Sequence, residues 1–208
     1  MLGGVEVPIV IVGFGNADDI VKCLTAIGEQ RGCPKIGVFI CENGGADAFD
    51  ALIGALSKPG GLCAGEVETL DAADFLRARR LRLAGALVPV TVGLARENLG
   101  FPGGVNAWIR PLLPESGWSG VWILNPDTWP QPDALAELID FAVQRGKGMV
   151  SSRIMFPDRS DIASCAASSS ASSPPRRLAS TSSPQSLRRR IPTTSSGASI
   201  RRPGSHSM

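Results

Sequence analysis

The sequence predicts an α/β fold, a mostly parallel sheet flanked by helices, on three observations. Two apolar runs rich in β-branched residues, VPIVIV at 7–12 and KIGVFIC at 35–41, each end in a polar or glycine-containing turn. The segments after those turns carry apolar residues at helical spacing. A third run, Val121 to Leu124, stops at Asn125 and Pro126 and delivers Asp127 beyond its end. Continuous apolar runs suit strands buried on both faces, and βαβα alternation argues for parallel strands joined by helical crossovers.

Taken in order, the turn Gly13 to Asn16 follows the first strand, and Ile20, Cys23, Leu24 and Ile27 then mark one face of a helix. Asn16 is placed to cap it, Asp18 and Asp19 suit its first turn, and Gly28 its exit. The second strand ends at Glu42, and Asn43, Gly44 and Gly45 turn the chain into a helix with the stripe Phe49, Leu52, Ile53 and Leu56. Residues 57–69 are expected to be a loop. Asp71 to Leu83 is expected to be a helix whose run Arg77, Arg79, Arg80 and Arg82 forms a solvated face. A third strand falls within Ala86 to Leu94, with Pro89 obscuring its start. In ARENLGFPGGVNAWIR, residues 95–110, glycines precede a helical stripe of Val105, Trp108, Ile109 and Leu112, an arrangement that suits an anion at a helix N-terminus. After Asp127, Pro132 opens a helix with Leu135, Leu138, Ile139, Ala142 and Val143 inward and Gly146 past its end, and a last strand lies within Met149 to Phe156.

Charge divides the chain. From Ile162 to Met208 there are seven Arg, fifteen Ser and no acidic or aromatic residue, so the first 161 residues hold 14 basic against 19 acidic side chains. The basic character therefore belongs to the tail, and the folded part is not expected to seek specific nucleic acid. Five cysteines without a CxxC pair suit a reduced, cytoplasmic chain. His206, in the tail, is the one histidine, which leaves no His-rich zinc site and no histidine-based triad in the fold.

Asp127 stands where open α/β sheets bind ligands, beyond the carboxyl ends of their strands. Asn125 and Asp127 also suit a simple turn. A dinucleotide site is a competing reading of Gly13, Phe14, Gly15 and Glu42. Asp18, however, occupies the third glycine position of that fingerprint, and with Asp19 it would repel a pyrophosphate.

The ordered set VPIVIVGFGN, VFICENGG, ENLGFPGGVNAWIR and WILNPDT resembles the inverting family 2 glycosyltransferases of GT-A fold, especially a rhamnosyltransferase-like group, over roughly residues 7–160. The resemblance implies a GT-A-like (Rossmann-like) domain at 5–160 that binds a nucleoside diphosphate sugar donor and serves a saccharide or other hydroxyl acceptor. It implies nucleotide contacts at Gly13, Glu42, Asn98, Gly103, Gly104 and Asn125, and Mg²⁺ or Mn²⁺ on Asp127. Glu42 stands where that family more often has Asp, and Gly13 to Asn16 stand where it has a Thr-Tyr-Asn-like run.

The family's carboxylate base lies downstream in an acceptor-binding part that is expected to be missing here, so no catalytic residue is assigned. The chain is expected to be a glycosyltransferase in truncated form that transfers a sugar from the donor to the acceptor, the alternative being a nucleotide-binding remnant without catalysis. The segment 162–208, rich in Ser, Arg and Pro, is expected to be a disordered tail. It reads either as the product of a shifted reading frame near residue 162 or as a basic tail contacting a membrane surface or RNA through Arg176, Arg188 and their neighbours.

Overall fold

The computed structural model describes residues 4–86, 88–156 and 159–165. The described chain runs β1 (Val7–Gly13), α1 (Ala17–Gly28), β2 (Ile36–Glu42), α2 (Ala46–Ser57), β3 (Cys63–Leu70), β4 (Phe75–Leu83), β5 (Pro89–Ala95), α3 (Gly100–Leu112), β6 (Trp122–Leu124), α4 (Ala134–Arg145), β7 (Ile154–Phe156) and β8 (Arg159–Cys165). Six strands form one sheet in the order β3-β4-β5-β2-β1-β6. Strand β1 pairs in parallel with β2 and β6, and β2 pairs in parallel with β5, so these four strands end at one edge. Strand β4 runs antiparallel to both β3 and β5. The result is the expected mostly parallel α/β sheet with helices on both faces. Strands β7 and β8 pair separately. No helix among the described residues is long and apolar enough to cross a membrane.

Alternation along the strands assigns side chains to the two faces. Val7, Ile9 and Ile11 of β1 pack with Ile20, Leu24, Phe49 and Leu52 of α1 and α2, and Leu135 of α4 joins the same cluster. Val10, Phe39 and Cys41 point the other way, onto Val105, Trp108 and Leu112 of α3. Trp108 anchors this second face, its ring 4.3 Å from that of Phe75 and 5.4 Å from that of Phe39. Phe75 lies flat over Gly93 of β5, where a Cβ would stand 2.5 Å from the ring. Each such buried side chain contributes about 1.5–3 kcal/mol of burial free energy.

Several expectations are corrected. Residues 57–69 are not all loop, since β3 occupies Cys63–Leu70, and Asp71 to Leu83 is not a helix, since β4 occupies Phe75–Leu83. In β4 the buried residues are Phe75, Ala78, Leu81 and Leu83. A register shift between Phe75 and Arg77 gives them a helix-like three-residue spacing at the start of a strand. The arginines are accordingly not a helix face: Arg77 makes a two-pronged contact to Asp50 at 2.9 and 3.2 Å and lies 4.7 Å from the Phe49 ring centroid.

Strand β6 is not buried on both faces. It is an edge strand, and Ile123 is 46% exposed. On α4 only Leu135 is buried, while Val143 is 75% exposed and Leu138, Ile139 and Ala142 are half-buried. The helix starts at Ala134 rather than Pro132 and ends, as expected, at Gly146 with φ 58°. Pro89 proves to be the first residue of β5, a position that needs no ladder donor. Strand β8 extends to Cys165, beyond the start of the expected tail. The rest of that tail, 166–208, lies outside the described residues.

Candidate functional site

The parallel strands β1, β2, β5 and β6 deliver four loops to one edge. Gly13 is in register with Glu42, Glu42 with Leu94, and Ile11 with Leu124. The loops Gly13–Asn16, Asn43–Gly45, Arg96–Leu99 and Asn125–Thr128 therefore leave the sheet side by side, next to the crossover from β5 to β6 past β2 and β1. Such a switch in strand order is where open α/β sheets leave a crevice.

Glu42 is the centre of this edge. It is 0% exposed. Its Oε1 accepts hydrogen bonds from the Gly15 N–H at 2.9 Å and the Gly44 N–H at 2.7 Å, joining the turn after β1 to the turn after β2. Its Oε2 is buried with no hydrogen-bond partner among the described residues. Glycine makes room for the carboxylate: a Cβ on Gly13 would stand 2.8 Å from Oε2, and one on Gly44 2.8 Å from Oε1. A buried carboxylate oxygen left without a donor is costly, and a ligand donor is one way of satisfying it.

Asn43, which sequence reasoning treated only as part of a turn, links this cradle to the next loop. Its Nδ2 donates to the Gly100 carbonyl at 3.2 Å and its Oδ1 accepts from the Leu99 N–H at 3.4 Å. The available signal was an amide side chain directly after a fully buried strand, a position from which such side chains bond to nearby backbone. Asn16, expected as a side-chain cap for α1, instead accepts from the Phe14 N–H at 3.0 Å and shapes the first loop. Phe14 itself is 65% exposed.

The expected site residues divide into three groups. Gly13 and Glu42 are brought into contact. Asn98 is exposed and its Oδ1 accepts from the Gly100 N–H at 2.9 Å, ahead of α3. Gly104 is buried against β1 and β2, where a Cβ would meet Val12 at 2.8 Å and the Cys41 Sγ at 3.3 Å, and a Cβ on Gly103 would meet Leu99 at 2.8 Å. The missing side chain of Gly104 thus sets the spacing between helix and sheet. Asn125 and Asp127 are both exposed, and they make their own turn at the end of β6. The Asn125 carbonyl accepts from the Thr128 N–H at 3.2 Å and hydroxyl at 2.7 Å.

Electrostatics distinguishes the helices that begin near this edge. Helix α1 carries Asp18 and Asp19 in its first turn and α2 carries Asp47, whereas α3 has no acidic residue in its first turn. The positive end of α3 is therefore left for an anion. Two thiols near the edge are held protonated. Cys23 is pushed up to about 11 by burial, with a Thr128 hydrogen bond opposing and the charge of Asp127 adding. Cys41 is pushed up to about 12 by burial and then by the charge of Glu42. Neither is a nucleophile at neutral pH.

As donors for a cation, the site offers the exposed carboxylate of Asp127 and the neighbouring amide of Asn125, and no group of three metal-ligating side chains occurs among the described residues. That set fits a hard cation also ligated by phosphates and water, and does not fit a cation caged by protein alone.

The fold and this edge define an open α/β domain whose parallel strands deliver their loops to one edge. No family model and no curated protein matches the chain. Among solved structures it is similar to S. aureus TarS, with 13% identity over 70% of this chain and 20% of that one, at a TM-score of 0.41. It is also similar to S. aureus TarS 1–349 in complex with UDP, at 10% identity, 74% and 43% coverage and a TM-score of 0.45. The same fragment in a second structure gives 9% identity, the same coverages and a TM-score of 0.43. The chain spans less than half the length of each of these structures.

Proposed function

We propose that the carboxyl edge of the sheet binds a nucleoside diphosphate sugar, and that the domain is the donor-binding part of an inverting glycosyltransferase of the family 2 type. The observation that carries this reading is the buried, unpartnered Oε2 of Glu42 in its glycine cradle, on the same sheet edge as the acid-free start of α3 and the exposed Asp127.

Each part has a task. Glu42 Oε2 accepts from a donor group on the base or ribose, once the Gly13–Asn16 turn gives way enough to admit it. Phe14, exposed on that turn, offers a face on which a base can stack. The N-terminus of α3 receives the diphosphate, with Asn98 holding the loop that leads into it. Asp127, with Asn125 beside it, would hold Mg²⁺ or Mn²⁺, and such a cation neutralises the charge that develops on a departing diphosphate. Transfer to a saccharide or other hydroxyl acceptor also requires a base to take the acceptor's proton. The described residues at this edge are read as binding and orienting the donor rather than supplying that base.

Binding and transfer are tested separately. The full chain is mixed with UDP-sugars and Mn²⁺, and both bound nucleotide and released UDP are measured. Saturable binding supports the donor site, and UDP release that depends on an acceptor supports transfer. Binding without release reduces the reading to nucleotide binding, and no binding removes it.

A further inference from the structure

A second site lies at the opposite edge of the sheet. A cavity of ≈ 480 Å³ opens around the amino ends of β2 and β5 and shares no residue with the carboxyl-edge site. Three cationic side chains, Lys35, Arg80 and Arg82, line it, and no Asp or Glu is among its described lining residues. Apolar surface from Val5 and Phe39 lines it as well.

Strand pairing explains why the cations converge. Arg80 is opposite Thr91 and Arg82 opposite Pro89, so both arginines project from the face that carries Thr91. Thr91 is 3% exposed, lines the cavity and makes no side-chain hydrogen bond among the described residues. Its hydroxyl, lining the same space as the arginines, is a donor open to an acceptor in the cavity. Among the described residues the carboxylate paired with these cations is that of Glu68, 3.8 Å from Arg80 and itself 60% exposed, a long and solvated pairing.

We propose that this cavity binds a small amphipathic anion: a phosphate or carboxylate head held by Arg80, Arg82, Lys35 and the Thr91 hydroxyl, with an apolar stem against Val5 and Phe39. Charged donors around a partly enclosed anion make the stronger class of hydrogen bond, and the apolar wall adds affinity in proportion to the area it covers.

Octyl phosphate below its micellar concentration and inorganic phosphate are the probes, titrated calorimetrically into the full chain. Octyl phosphate is expected to bind saturably and at least about tenfold more tightly than inorganic phosphate, since a handful of buried methylenes is worth that much. The pair Arg80→Gln and Arg82→Gln should weaken octyl phosphate by about tenfold or more, and Thr91→Val, which keeps the shape and removes the hydroxyl, by several-fold. Circular dichroism of each variant verifies that it is folded. Asp127→Ala should leave octyl phosphate binding unchanged, which separates this site from the nucleotide reading. The proposal is overturned by the absence of saturable binding, by equal affinity for the two probes, by folded arginine variants that bind like the wild type, or by binding lost in Asp127→Ala.

Discussion

Replacing Glu42 by Ala should cost the domain about 2 kcal/mol of stability, and replacing it by Gln less. The Ala change leaves two amide groups, those of Gly15 and Gly44, without the oxygen that now accepts from them at 2.9 and 2.7 Å. Both glycines are exposed and their bonds to Glu42 are part-buried, so water meets part of the need and each lost bond costs about 1 kcal/mol. Such a loss is a large fraction of the roughly 5–15 kcal/mol that holds a typical domain folded. Gln keeps an oxygen for both N–H groups and gives up only the charge. Its amide NH₂ then stands where Oε2 had no partner, close to Gly13, for a net cost below about 1 kcal/mol. Urea unfolding followed by far-UV circular dichroism measures both, provided the slope stays constant so that the midpoint shift reports stability. Two results refute the clamp: a loss below about 1 kcal/mol for Glu42→Ala, or equal losses for Ala and Gln.

Four further outcomes follow from packing and titration. Gly104→Ala places a methyl 2.8 Å from Val12 and should push α3 off the sheet for about 1–3 kcal/mol. Gly54→Ala, in α2 with nothing within 4 Å of the added Cβ, should gain about 0.5–1 kcal/mol in the same urea assay. Cys23 and Cys63 are raised by burial from 9.0 to about 11, and Cys41 to about 12 by burial and the charge of Glu42. The folded state then holds these protons longer than the unfolded one, so their stabilisation is complete below about pH 9 and declines as pH rises through 11 and 12. Urea midpoints should therefore fall from pH 8 to pH 11. Iodoacetamide at pH 8 should label half-buried Cys33 before the three buried thiols, and equal labelling rates in the folded protein would contradict the burial account.

Much of the fold was legible because apolar period and turn chemistry agreed. The continuous apolar runs of β1 and β2 are buried on both faces, helical spacing marks the buried residues of α1 and, half-buried Ile53 apart, of α2, and the acidic first turn of α1 is where its sequence places it. Strands β3 and β4 were illegible for a physical reason. Both have register shifts that break their two-residue period, and long arginine stems let a half-covered strand look like a solvated helix. Strand β6 was read as buried because its composition is apolar, yet composition does not reveal that a strand lies at the sheet edge.

At the site, sequence marked where Glu42, Asn98 and Asp127 leave their strands. It could not show that one oxygen of Glu42 clamps two turns while the other is left free, because that depends on the 2.8 Å clearances at Gly13 and Gly44. Asn43 was missed for the same reason, since its partners at Leu99 and Gly100 lie more than fifty residues away.

The most direct test of the donor-site account is calorimetric titration of UDP into the full chain with and without Mn²⁺, repeated with Asp127→Ala. The account predicts that Mn²⁺ tightens UDP binding in the wild type by about tenfold or more, and that the Asp127→Ala protein, still folded, loses this gain. Metal-dependent UDP affinity that is unchanged in Asp127→Ala would remove Asp127 from the site and contradict the account.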